Sequence, residues 1–275
     1  MSIFPLSELQ RDKALSQQAT GPEASVPSFR VLGVRVSALQ IADVVDHMEH
    51  WIQERKLGHF IAVTGMHGIS ESRRDPSFQT ILNAADLVVP DGMPLVWLGR
   101  WNGFSLRRRV YGPELMETFC RLTASRYTHF LYGGAVGVPE RMAEVMESKY
   151  GNRVVGAYSP PFRALTEEER EDVLARIRAA NPNVLWVGIS TPKQERWIAE
   201  HRDRLGIPVI IGVGAAFDFH TGRVRQAPRW MRENGMEWLF RLLAEPRRLW
   251  RRYLIYGSQF AWNVSLEILG IKSFS

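Results

Sequence analysis

The chain has 275 residues, 45% hydrophobic and 23% charged, which is ordinary for a globular protein and ample for a sizeable core. Its single cysteine, Cys120, excludes an internal disulfide framework and suits a reducing compartment, and no run of 18 apolar residues marks a membrane span. The net charge of +6 points to an anionic partner such as phosphate, nucleic acid or lipid head groups, without choosing among them.

Residues 1–28 are polar, rich in Gln, Ser, Ala and Pro, and lack the charged start and apolar block of a signal peptide; a flexible lead-in is expected. Order is predicted from Phe29, where Phe29–Val36 reads as a short hairpin or edge strands. A helix is predicted over 38–56, with Leu39, Ile41, Val44, Val45, Met48 and Trp51 at helical spacing. One unit then repeats: strand, loop, helix. Strands are predicted at His59–Thr64, Leu87–Val89, His129–Tyr132, Val154–Tyr158, Val184–Val187 and Pro208–Ile211. Helices are predicted at about 67–84, 93–101, 113–125, 138–150, 167–180 and 193–204. This alternation predicts an α/β core over 29–222, a mostly parallel Rossmann-like sheet with helices on both faces. Residues 223–275 form a separate basic, amphipathic helical appendage in this reading.

The strand ends carry the chemistry. Ala85–Val89 is a short apolar run that stops at Pro90, and Asp91-Gly92 follows before a helix opening with Met93-Pro94. Asp91 therefore stands where open α/β sheets bind ligands. Position alone leaves two readings: a functional carboxylate, or a cap for the next helix. After the other strands come Thr64-Gly65-Met66-His67, Gly133-Gly134-Ala135-Val136-Gly137, Gly188–Glu195 and Gly212-Val213-Gly214–Asp218. Glycines admit a ligand to the backbone and helix N-termini offer N–H groups to phosphate, so these loops together predict a binding crevice. The Gly133–Gly137 loop is a candidate phosphate cradle, or a tight turn that needs glycines. Gly212-Val213-Gly214 lacks the third glycine of a dinucleotide fingerprint, because Phe217 stands there. Lys193 and Gln194 open a helix and are candidate phosphate and sugar contacts; the alternative is a solvated first turn in which Glu195 complements the helix dipole. Arg109 suits bidentate phosphate contact, or is a surface charge like Arg107 and Arg108. His67 is read as a polar lining residue or a helix-start contact, and the seven histidines show no ligand spacing for a metal.

These blocks resemble the bacterial TagA/WecG/CpsF glycosyltransferases, glycosyltransferase family 26, from about Val31 to Tyr256. The resemblance is carried by Ala85–Gly92, Arg109–Gly112, Phe130–Gly134, Pro192–Glu195, Gly212–Asp218, Ala227–Trp230 and Gly235–Leu242. It implies an inverting, metal-independent transfer of a hexose from a UDP-sugar to a polyprenyl-diphosphate-linked glycan acceptor, in the synthesis of cell-surface polysaccharide. No cofactor is implied, the UDP-sugar being a co-substrate. Asp91 matches the family's proposed general base, Thr64 a pocket hydroxyl, and Arg109 and Gln194 contacts to diphosphate and substrate. One departure stands out: Met66 occupies the place of the family's usual Asn, with His67 next. Two other classes share parts of this pattern. A nicotinamide-dependent dehydrogenase would need the intact glycine fingerprint. A nucleic-acid-binding protein would spread its basic residues along a groove, whereas here the basic excess lies after residue 222.

That C-terminal segment holds nine arginines against three glutamates from Arg223 to Arg252, interleaved with Trp, Leu, Phe and Tyr, and Pro246 is expected to divide it into two helices. Arg241, Arg247, Arg248, Arg251 and Arg252 are candidates for contact with anionic lipid or the donor diphosphate. The plainer reading is a helical hairpin with a solvated basic face. Peripheral attachment to the inner, cytoplasmic face of the bacterial plasma membrane is expected, with no nucleic-acid partner. Oligomeric state, a homo-oligomer included, stays open.

Overall fold

The computed structural model describes residues 25–274, apart from the side chains of Arg229, Glu233, Arg248 and Arg252. The lead-in to residue 24 lies outside them. The chain forms two compact units. One comprises residues up to Ile41, Val63–Tyr111 and the chain from Gln226; the other comprises Ala42–Ala62 and Gly112–Arg225.

The first unit begins with β1 (Ser28–Val31) and β2 (Val34–Ser37), an antiparallel hairpin. Its two-residue turn places Leu32 and Gly33 at φ 49° and 86°. Positive φ at both central residues matches the strand twist of a tight hairpin. Leu32 is fully buried, and its N–H donates to the Glu267 carboxylate at 3.1 Å, which ties the turn to the C-terminal segment.

After α1 (Ile41–Gln53), a six-stranded parallel sheet is built from β3 (His59–Thr64), β4 (Leu87–Pro90), β5 (Thr128–Gly133), β6 (Arg153–Tyr158), β7 (Val184–Gly188) and β8 (Val209–Gly212), in the order β4-β3-β8-β7-β5-β6. Every predicted strand is present within a residue or two. In the second unit the register runs from His59 opposite Val209 to Ala62 opposite Gly212, and from His129 opposite Val184 to Gly133 opposite Gly188. Strands β7 and β8 are apolar at nearly every position and almost wholly buried, as strands covered on both faces must be. Cys120, on α5 (Gly112–Thr123), is fully buried, and burial raises its thiol above the ordinary range, so it is inert packing.

The helix expected over 67–84 is two helices, α2 (Met66–Arg74) and α3 (Pro76–Asn83). Proline disfavours helical backbone in the residue before it, and Asp75 is extended at φ −131°. Its carboxylate accepts from the N–H groups of Ser77 (3.0 Å) and Phe78 (3.2 Å) and so starts the second helix. Helix α4 is Met93–Trp101, α6 Val138–Tyr150, α7 Glu167–Ala180, α8 Lys193–Leu205 and α9 Ala216–His220.

The C-terminal segment is more broken than a pair of helices. It comprises α10 (Arg229–Glu233), α11 (Glu237–Ala244) and α12 (Pro246–Trp250), then a π-helical stretch over Arg251–Ile255 that leads into α13 (Tyr256–Ile268). Gly235, at φ 73°, adds a break that Pro246 alone does not predict. Leu249, Phe260 and Val264 are buried. No helix of the described residues is long and apolar enough to cross a membrane.

Candidate active site

In the first unit three chain segments are stitched together by backbone hydrogen bonds. The Asp91 N–H donates to the Thr64 carbonyl at 2.8 Å, and the Val110 N–H donates to the Pro90 carbonyl at 2.8 Å. Gly65 is required here, because a Cβ at that position would run into the Asp91 carbonyl oxygen. The ends of β3 and β4 and the Arg109–Tyr111 segment are thereby fixed to one another before any side chain is considered.

Asp91 does not cap α4. Gly92, at φ 138°, is the N-cap, and no side chain closes that helix end. The capping reading is therefore corrected: the carboxylate, 31% exposed, follows the strand end and makes no capping hydrogen bond to α4. The surface reading of Arg109 also fails. Its side chain is only 14% exposed, and one guanidinium nitrogen lies 3.8 Å from Asp91 Oδ1. Thr64, at the end of β3, is 2% exposed, and its buried hydroxyl has no hydrogen-bond partner among the described residues. A buried hydroxyl left without a partner on the residue whose carbonyl holds the Asp91 backbone is what a site for a polar ligand presents.

Arg109 has a second carboxylate partner that sequence reasoning missed. Its Nη2 donates to Glu237 at the start of α11, and Tyr111 donates from its hydroxyl to the other Glu237 oxygen at 3.3 Å. The guanidinium also stacks over the Tyr111 ring, 4.1 Å from its centroid. Burial alone would lower the proton affinity of Arg109, but Glu237 and then Asp91 more than offset it, so the group is held charged. Burial, reinforced by Glu237, raises Tyr111 well above the ordinary phenol. The signal available in the sequence was one of only three acids in the arginine-rich stretch, in Gly235-Met236-Glu237-Trp238.

His67, in the first turn of α2, stacks on Tyr256 at 6.2 Å between ring centroids. A Cβ built on Gly257 would lie 3.4 Å from the Met66 methyl, so the residue at the family's Asn position packs on the start of α13. Arg74 stacks on the other partner of this cluster, Tyr256, at 4.0 Å, and bonds Gln259 at 2.5 Å. Of the C-terminal arginines, Arg241 acts electrostatically on Tyr111, while Arg247 and Arg251 are exposed. The side chains of Arg248 and Arg252 lie outside the described residues.

In the second unit Gln194 is buried and its amide is committed within the protein. It donates to Glu195 Oε1 at 3.0 Å and accepts the Gly214 N–H at 3.0 Å, in space that a Cβ on Gly212 would fill. It therefore shapes the loop after β8. Lys193 is exposed. Asp218 pairs with Arg223 at 3.4 Å. A Cβ on Gly133 would strike the Gly188 backbone, and Gly134 donates to the Gly188 carbonyl at 3.0 Å, so a tight strand-end turn already accounts for both glycines. Among the described residues no group of three His, Cys, Asp or Glu could hold a metal ion.

The solvated reading of Glu195 is corrected. It is fully buried, accepts from Thr191 Oγ1 at 2.8 Å as well as from Gln194, and has one oxygen without a partner among the described residues. Desolvation raises its pKa despite those bonds. The folded state thus binds this proton more tightly than the unfolded chain. The associated stability is complete below the ordinary glutamate value of about 4.3 and is lost as pH rises through the raised folded value. Glu195→Gln should therefore gain in melting temperature relative to the parent as pH increases from about 4 toward 7. A gap that does not change with pH would show that Glu195 is not a buried, desolvated acid.

Comparison with known proteins adds identity to this geometry. A model of the Glycosyl transferase WecG/TagA/CpsF family matches residues 29–273. The chain is 27% identical over 235 residues, 85% of this chain and 90% of the relative, to the N-acetylglucosaminyldiphosphoundecaprenol N-acetyl-beta-D-mannosaminyltransferase of Bacillus subtilis strain 168. It is 28% identical over 216 residues, 78% of this chain and 82% of the relative, to the enzyme of the same name from Bacillus spizizenii strain W23.

Proposed function

The chain belongs to the WecG/TagA/CpsF family of glycosyl transferases, and on that premise we propose that it moves a hexose from a UDP-sugar to an acceptor sugar carried on a polyprenyl diphosphate, with inversion and without a metal. The observation that carries this reading is the Asp91 carboxylate at the end of β4, 3.8 Å from the Arg109 guanidinium. Family membership favours glycosyl transfer over the dehydrogenase and nucleic-acid readings.

The step is a single displacement. The acceptor hydroxyl oxygen attacks the donor's C1 and forms the new glycosidic bond as the bond from C1 to the diphosphate oxygen breaks. Asp91 takes the hydroxyl proton, which is the role of a general base. UDP departs with the bonding electrons, and Arg109 supplies positive charge where negative charge develops on the diphosphate. Thr64 offers its hydroxyl to a substrate oxygen.

Attachment to the inner face of the plasma membrane is part of the proposal. Trp97, Trp101, Trp230, Trp238, Trp250 and Trp262, six of the nine tryptophans, are between 42% and 73% exposed, and all belong to the first unit. A globular surface rarely exposes so much indole, whereas a membrane interface favours it, with arginine nearby.

The test is incubation with a panel of UDP-sugars and a short-chain N-acetylglucosaminyl diphosphate lipid, with the product read by mass and anomeric configuration. A lipid one hexose heavier, of inverted configuration, is expected, and its yield should survive EDTA. Loss of activity in chelator with recovery on Mg²⁺ or Mn²⁺ would overturn the metal-independent step. Absence of product with every donor would overturn the reading as a whole.

A further inference from the structure

Two carboxylates compete for one guanidinium in the first unit. Arg109 gives a hydrogen bond to Glu237, while its other edge is 3.8 Å from Asp91, beyond hydrogen-bond reach. Both oxygens of Glu237 are engaged, one by Arg109 and one by Tyr111, so its direction is fixed. The Tyr111 ring beneath the guanidinium limits the remaining freedom of Arg109. Glu237 is also the first residue of α11, where the helix dipole favours a carboxylate.

We propose that Glu237 is a positioning residue for the transfer: by holding one edge of Arg109 it keeps the guanidinium from closing onto Asp91, which leaves Asp91 a competent base and leaves Arg109 able to meet the donor diphosphate. This rests on the reading of Asp91 as the base. An arginine and a carboxylate left to themselves form a bidentate pair, and a carboxylate so paired holds protons poorly. Glu237 opposes this twice, by geometry and by its own negative charge. The charged groups acting on Arg109 and Tyr111 include Glu237, Asp91 and Arg241. His67, at the start of α2, is a further titratable group, so the titration is best read at Asp91 itself.

The experiment follows the Asp91 carboxyl carbon by NMR in the full chain labelled with ¹³C-aspartate, the signal being assigned by its loss in D91N. In E237Q the Asp91 titration midpoint should fall by about one unit. The acid limb of the kcat/KM profile should move with it, and turnover should drop by about tenfold or more. E237D keeps the charge and should stay close to the parent in both readouts. A role in packing alone would favour the longer isostere, so E237Q performing better than E237D overturns the proposal, as does an unchanged Asp91 midpoint in E237Q. If E237Q does not fold, as judged by its melting transition, E237D still decides: a lowered Asp91 midpoint there counts against the proposal, and a retained one supports it. A protein that transfers no sugar while Asp91 still shifts in E237Q refutes the base reading and leaves the coupling standing. Normal transfer with no shift in E237Q does the reverse.

Discussion

Replacing Asp91 with asparagine is expected to lower turnover by about 10² to 10⁴-fold, the usual share of a general base, with folding and UDP binding nearly intact. Asparagine keeps the shape of the side chain, and the Thr64 to Asp91 hydrogen bond is made by backbone atoms that the change does not touch. Arg109 retains Glu237 as its partner, so no buried cation is left alone. Stability separates the two roles Asp91 was read to have. A helix cap costs about 0.5–2 kcal/mol on replacement by alanine, but Gly92 is the N-cap of α4, so Asp91→Ala should not show that cap loss. Measured turnover close to that of the parent in Asp91→Asn, with product still formed, would remove Asp91 from the chemistry.

The second large effect is expected at the membrane. Arg247 and Arg251 are exposed beside Trp250, which Arg251 meets at 5.3 Å from the ring. Each basic residue near an anionic surface contributes about 1 kcal/mol. Removing both should therefore weaken partitioning to phosphatidylserine vesicles by about 30-fold, and Arg247→Glu with Arg251→Glu should weaken it further by repulsion. Sedimentation of the parent should fall as salt rises, because the attraction is screened. Trp250→Ser with Trp262→Ser should reduce binding in a way that salt does not alter, since burial of indole does not depend on charge. Vesicle binding that survives the charge reversal would show that these arginines do not face the lipid. Point substitution is preferable to truncation after Arg225. The C-terminal residues belong to the first unit, bury Leu249, Phe260 and Val264, and supply the Glu267 carboxylate to the Leu32 turn.

Local pattern determined much of this protein. Short β-branched and apolar runs bounded by turn residues locate all six parallel strands, most plainly β7 and β8, which are apolar at nearly every position because both their faces are covered. The same punctuation placed Asp91 at a strand end, and the ordered blocks from Ala85–Gly92 to Gly235–Leu242 carried the family. What sequence could not decide was which of two reasonable partners a polar side chain takes, since that depends on residues distant in the chain. Asp91 could have capped α4, but Gly92 at positive φ takes that place. Arg109 could have been a surface charge, but Glu237, 128 positions later, draws it in. Glu195 and Gln194 could have formed a solvated first turn, but the Gly214 N–H and the Thr191 hydroxyl turn them inward. Hydrophobic periodicity reports whether a face is buried; the pairing of charges and hydrogen bonds is set by tertiary contacts that leave no period in the sequence, and in this protein those pairings decide the candidate site.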